Sequence, residues 1–316
     1  MQTEDDVTSA GVIEGTVIEV SEVVVEPVVA ASAPSPLVFD LRAPEPPSAP
    51  RAETPPVAAP APPQRSERVE AAPAPRAGGP LAGRVAVVTG GSGPVGRAIT
   101  IGLAHAGARV CVIGRDLAEL RQTVALAGGE AAVLFLQCDV GSVSEIEGVV
   151  DFIERFDRPV DILVHAEGVQ VRGGVEHGSV NDLDEQYLVN VRGPYVISQK
   201  LLARLRSGGG HVVFLNAAPG AVDPVEFGQF AVTSHGVRAL ADTLREEVRG
   251  SGIRVTSISS DPVVEAGVSG GDEAAGLLPS DVADSVLHAV QVPAQVEVTD
   301  ISLRRREVAS AADSIG

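Results

Sequence analysis

The sequence predicts an α/β protein built on a doubly wound parallel sheet, and three observations carry that expectation. From Leu81 onward, short apolar runs alternate with segments of helical periodicity. The apolar runs are nearly continuous, as strands covered on both faces require. The first run ends in glycines that lead straight into a helical pattern. Residues 81–308 suffice for one such domain with a substantial core, and neither a second domain nor a repeat of fixed period is visible.

The elements follow in order. "RVAVVTGG" reads as the first strand, and in "VGRAITIGLAHAGA" the residues Val95, Ile99 and Leu103 recur at helix spacing. "ARVCVIGR" and "DLAELRQTVALAG" form the next strand and helix, then "AAVLFLQCDV" and "VSEIEGVVDFIERF". "PVDILVHAEG" precedes a long helix across Asn190, "GGHVVFLNAA" precedes a helix from Thr233, and "GIRVTSISS" is the sixth strand.

The first 80 residues are a different polymer. They hold 15 of the 23 prolines and 12 acidic against 5 basic side chains. Segments such as "APEPPSAPRAETPPVAAPAPPQ" lack the large side chains that would offset chain entropy, and proline holds them near polyproline II. Residues 1–80 are therefore expected to be a disordered arm, acidic and then Pro/Ala-rich, and 309–316 a flexible C-terminus. The β-branched run "VIEGTVIEVSEVVVEPVV" could instead add a strand to a partner's sheet edge.

Formal net charge is −18, which disfavours nucleic acid and anionic membrane as partners. No stretch reaches the ~18 apolar residues of a membrane span, and no signal-peptide pattern opens the chain, so a cytoplasmic protein is expected. Cys111, Cys138 and the six histidines show no metal-ligand spacing; buried free thiols are expected.

"TGGSGPVGRA", Thr89 to Ala98, joins the first strand to the first helix. Glycines there allow a sharp turn and close approach of a pyrophosphate to a helix N-terminus. With this turn in view the chain resembles the short-chain dehydrogenase/reductase family, whose motif is TGxxxGxG, from about residue 82 to about 306. "CDV" looks like the family's adenine-contacting stretch, "DILVHAEG" is similar to its NNAG strand, and "NVRGPYVISQ" resembles the helix carrying its structural Asn, here Asn190. The closing "LPSDVADSVLHAVQVPAQVEVTDISLR" looks like the family's last helix and strand.

The resemblance implies a Rossmann-type domain with a cofactor site at Thr89, Gly90, Gly96, Arg115, Asp139, Val140 and Gly168. Arg115 stands where NADP-preferring members place an Arg, which could pair with a 2′-phosphate. NADP(H) is therefore the cofactor expected, bound weakly or not at all. Pro94 stands at the motif's second Gly, Glu167 replaces the small residue of NNAG, and Ser260, Asp261 and Glu265 replace the usual loop residues after the sixth strand. Carboxylates near a pyrophosphate are unfavourable unless they point away.

The family's catalytic pattern is absent. It uses a Ser, a Tyr thirteen residues on and a Lys four beyond that. Anchored on "GGHVVFLNAAPG", these positions hold Ala217, Phe230 and Ser234, leaving Asn190 alone retained. Lys200 is the only lysine, and neither tyrosine, Tyr187 or Tyr195, is spaced to share a helical face with it. His235 and Glu226 are the nearby titratable groups.

Three functions remain open at this point. One is a catalytically degenerate family member serving as a non-catalytic subunit or regulator, and another an NADP(H)-dependent ketone or aldehyde reductase with a non-standard proton donor. The third is an interaction module without nucleotide. Helical stripes around Asn190 (Leu188, Val191, Tyr195, Leu202, Leu205) and along Val237, Leu240, Leu244 and Val248 suit the two helices by which the family assembles. A homo-oligomer, or a hetero-oligomer with a related reductase, is expected.

Overall fold

The computed structural model describes residues 79–306 except 131, 219, 224 and 265–275. The predicted arm up to residue 78, the C-terminal 309–316 and Glu265 lie outside the described residues.

Seven strands form one parallel sheet in the order β3-β2-β1-β4-β5-β6-β7. They are β1 (Val85–Thr89), β2 (Arg109–Gly114), β3 (Val133–Gln137), β4 (Ile162–His165), β5 (His211–Ala217), β6 (Arg254–Ser260) and β7 (Asp300–Leu303). Among the described residues the α-helices are α1 (Pro94–His105), α2 (Leu117–Leu126), α3 (Val143–Ile153), α4 (Val180–Tyr187), α5 (Gly193–Gly208), α6 (Gly228–Glu247) and α7 (Pro279–Gln291). The doubly wound α/β fold expected from the sequence is therefore the fold observed.

The strand pleat divides the apolar residues between two cores. Val87, Cys111, Leu163, Val212 and Phe214 face α3, α5 and α6, where Ile146, Ile197, Leu201 and Ala241 meet them. Ala86, Val88, Val110, Val112 and Val164 face the other way, onto Ile99 and Leu103 of α1, Leu120 of α2 and Val286 of α7. Continuous apolar strands are thus explained: every position of β1 and β4 is buried, whereas the edge strands β3 and β7 are partly exposed.

Local chemistry fixes the helix ends. The Asp116 carboxylate accepts from the N–H groups of Ala118 (2.8 Å) and Glu119 (3.0 Å) at the start of α2. The Ser142 hydroxyl accepts from Glu145 N–H at 3.4 Å at the start of α3. At the start of β1 the Asp161 carboxylate accepts from Val85 N–H and from Arg84, both at 2.8 Å, tying β1 to the entry of β4.

Two helices differ from the sequence reading. The helix expected from Thr233 begins at Gly228, because a neighbouring loop satisfies its first turn: Gly173 C=O accepts from Gln229 N–H (3.0 Å), and Ser179 C=O from Gln229 Nε2 (2.8 Å). The long helix across Asn190 is interrupted by a π turn over Leu188–Arg192. On its outer side Tyr187 and Tyr195 are exposed, as is Val232 on α6, whereas Leu205 is buried.

Strand order reverses direction at β1, whose neighbours are β2 and β4. The carboxyl ends of β1 and β4 therefore open a cleft at the switch point. Among the described residues no helix is long and apolar enough to cross a membrane, and no cluster of His, Cys, Asp and Glu is arranged to hold a metal.

Candidate functional site

The glycine turn lies at the floor of this cleft. Gly90 has φ +74°, and a Cβ there would come within 2.5 Å of the Ala166 carbonyl oxygen. A Cβ on Gly96 would meet the Gly90 carbonyl oxygen at 2.2 Å. These two glycines let the turn press onto the end of β4 and let α1 start against the turn. Thr89 is buried, and its hydroxyl accepts from Ala166 N–H (3.2 Å) and Glu167 N–H (3.3 Å), bracing the same junction.

A cavity of about 270 Å³ runs from there across the ends of β4, β5 and β6. Ala217, Phe230, Ser234, Asn190, Glu167 and Gly168 all line it. The sequence-derived positions thus converge on one wall. Asn190 holds the loop after β4: its Oδ1 accepts from Val169 N–H at 2.7 Å, and its Nδ2 donates to Val169 C=O at 2.8 Å and to the Thr233 hydroxyl at 3.2 Å. Asn216 Nδ2 donates to Ser234 C=O at 2.7 Å, which ties β5 to α6, and the buried Ser234 hydroxyl has no partner.

His235 and Glu226 are not among the lining residues. The former bonds Ala231 C=O through Nδ1 at 2.8 Å, and the latter lies 3.6 Å from Arg172. The titratable groups that do line the cavity are His165, Glu167 and Asp261.

Each of these is occupied. His165 Nε2 bonds the Ser198 hydroxyl at 2.9 Å, its ring stacks on Phe214, and burial pushes its pKa down to about 3. It is neutral at pH 7, and no sequence signal beyond a His closing an apolar strand announced it. Asp261, which stands in the loop after β6, accepts from Arg304 and from Arg305 N–H, both at 2.9 Å, beyond the end of β7. Its charge is held by residues remote in sequence.

Glu167 is the third. Its side chain is only 8 % exposed, Oε1 lies 3.7 Å from Arg115 Nε, and buried Oε2 has no hydrogen-bond partner. Burial pushes its pKa up, against the pull of Arg115 and a backbone hydrogen bond from Gly90, while Asp139 pushes it further up.

A second cavity, about 290 Å³, lies beside Arg115 and is lined also by Asp139, Asp184 and Glu185. Arg115 is 3.9 Å from Glu185 on its other side. Asp139 Oδ1 accepts from Gly141 N–H at 2.8 Å, and Gly193 lies so close to the Val140 carbonyl that a Cβ would approach it to 2.6 Å.

Whether a dinucleotide fits depends on the donors left for its phosphates. Gly91 N–H and Gly93 N–H donate within the turn, at 3.0 Å to Ile113 C=O and Gly90 C=O. Pro94 has no N–H, and the Arg115 guanidinium sits between the carboxylates of Glu167 and Glu185, at 3.7 and 3.9 Å. As placed between these two carboxylates, Arg115 does not fit a 2′-phosphate.

Comparison with known proteins agrees with this architecture. The short chain dehydrogenase profile matches residues 84–269. The chain is 31 % identical over 199 residues to an NADPH-dependent aldehyde reductase-like chloroplastic protein of Arabidopsis thaliana, covering 58 % of this chain and 74 % of that one. It is 32 % identical over 239 residues to farnesol dehydrogenase of Aedes aegypti, covering 71 % and 96 %. A metagenomic short-chain oxidoreductase solved in complex with NADP superposes with TM-score 0.63 at 25 % identity, covering 72 % of this chain and all of that one. The chain belongs to the short-chain dehydrogenase family.

Proposed function

We propose that this chain is a family member that has lost carbonyl reduction and serves as a non-catalytic subunit or regulator. The observation that carries this reading is the wall formed by Ala217, Phe230 and Ser234 beside Asn190. Reduction of a carbonyl needs a donor that hands a proton to the oxygen as hydride arrives. Phe230 offers a ring without a hydroxyl, Ala217 offers nothing to orient the oxygen, and Ser234 offers no ammonium. Losing one such acid costs on the order of 10²–10⁴ in rate.

NADP(H) is the cofactor that relatives named as NADPH-dependent support for the family. In this chain Thr89, Gly90, Gly96, Arg115, Asp139, Val140 and Gly168 are the residues proposed to form what remains of that site. The exposed Tyr187, Tyr195 and Val232 on α4, α5 and α6 support a homo-oligomer or pairing with a related reductase.

One observation favours a second reading, an NADP(H)-dependent oxidoreductase with a non-standard donor: Glu167 is a buried carboxyl with a raised pKa lining the cleft. Its ion pair with Arg115 supports the first reading instead. Incubating the protein with NADPH and a panel of aldehydes and ketones separates the two. Oxidation no faster than a buffer blank is expected; sustained turnover that Glu167→Gln abolishes would establish the second.

A further inference from the structure

Glu167 is unusual in being both buried and incompletely satisfied. A carboxylate offers about four lone-pair positions, yet Oε2 is sealed from solvent without a partner. Such a group is retained at a cost of desolvation. What it does make is telling: an ion pair with Arg115 at the end of β2, Oε1 lying 3.7 Å from Nε. A 2′-phosphate would seek the same partner, the guanidinium.

We propose that Glu167 is an internal anion competing with nucleotide phosphate for the Arg115 guanidinium, so that the side chain must leave before NADP(H) can enter. The proposal rests on reading this cleft as the remnant of the family's dinucleotide site. The sequence alone hid it, because Arg115 and Glu167 lie in separate loops and meet only when β1, β2 and β4 pair.

The charge around Glu167 explains why the equilibrium is poised. Arg115 attracts it from the end of β2 and Asp139 repels it from the end of β3. Glu185 on α4 shares Arg115, and Cys138, whose thiol is kept neutral by burial, is the remaining titratable neighbour. Swinging outward restores the hydration of the carboxylate, which offsets part of the lost ion pair. Protonation weakens the ion pair, so lowering the pH favours the open arrangement.

The test is a calorimetric titration of the full chain with NADP⁺ at pH 8 and pH 5.5, for wild type, Glu167→Gln and Glu167→Gln/Arg115→Ala. Glu167→Gln keeps the shape while removing the charge, and is expected to bind at least about tenfold tighter than wild type at pH 8. The gap should narrow at pH 5.5, and removal of Arg115 should erase the gain. Saturable binding with equal affinity in wild type and Glu167→Gln would overturn the competition while leaving the nucleotide site standing. No binding in any variant, with circular dichroism showing all folded, would overturn both. A gain that survives loss of Arg115 would also refute the proposed contest.

Discussion

Two buried histidines make stability depend on pH in a way that can be measured. His165 bonds the Ser198 hydroxyl at 2.9 Å and His211 bonds the Thr256 hydroxyl at 2.7 Å, each through Nε2, and the Nδ1 of each has no partner. Burial pushes both pKa values from 6.5 down to about 3, with Arg254 adding to the effect at His211. A depressed folded-state pKa stabilises the neutral form above the unfolded value and loses that contribution as pH falls toward the folded value. Between pH 7.5 and pH 5 the unfolded imidazoles take up protons that the folded ones refuse, at about 2 kcal/mol each. The raised pKa of Glu167 acts in the opposite sense, so wild type alone does not isolate the histidines. The comparison is His165→Gln, which can still bond Ser198 but does not titrate. Urea unfolding at the two pH values should show that the variant loses about 2 kcal/mol less than wild type on acidification. Parallel losses would mean that His165 titrates normally in the folded state and would refute the reasoning.

Two further outcomes follow from the same geometry. Gly90→Ala combines a positive φ with a 2.5 Å approach to the Ala166 carbonyl oxygen, and should cost at least about 2 kcal/mol; an unchanged unfolding midpoint would show that the turn has room to shift. Burial pushes the Cys111 and Cys138 thiols up to about 12, so iodoacetamide at pH 8 should leave both unmodified in the folded protein and alkylate both in denaturant. Rapid labelling of the native state, read by mass spectrometry, would contradict that.

The sheet was legible in the sequence because its strands are covered on both faces, which turns "RVAVVTGG" and "HVVFLNAA" into apolar runs that no solvated strand would show. The glycine turn was legible because backbone approaches of the kind seen at Gly90 and Gly96 leave no space for a side chain. Where tertiary contacts decide, sequence reasoning fell short. The start of α6 is set by carbonyls of residues 173 and 179, remote from its own periodicity. Asp261 was read as a carboxylate in the loop after the sixth strand, and only the pairing of β6 with β7 brings Arg304 and Arg305 to it. Arg115 and Glu167 were each recognised singly, one as a phosphate partner and the other as an intruder. That each is the other's partner depends on strand order, which periodicity does not encode.

The π turn at Leu188–Arg192 separates two jobs along one continuous rod. An extra residue in a helical turn advances everything beyond it by about 100° around the axis. Asn190 can thus be aimed inward by one angular setting while Tyr195 obeys another. Excising a single residue from this turn would rotate α5 against α4, carrying Pro194 off the cleft wall and Ser198 away from His165 together with the outer tyrosine.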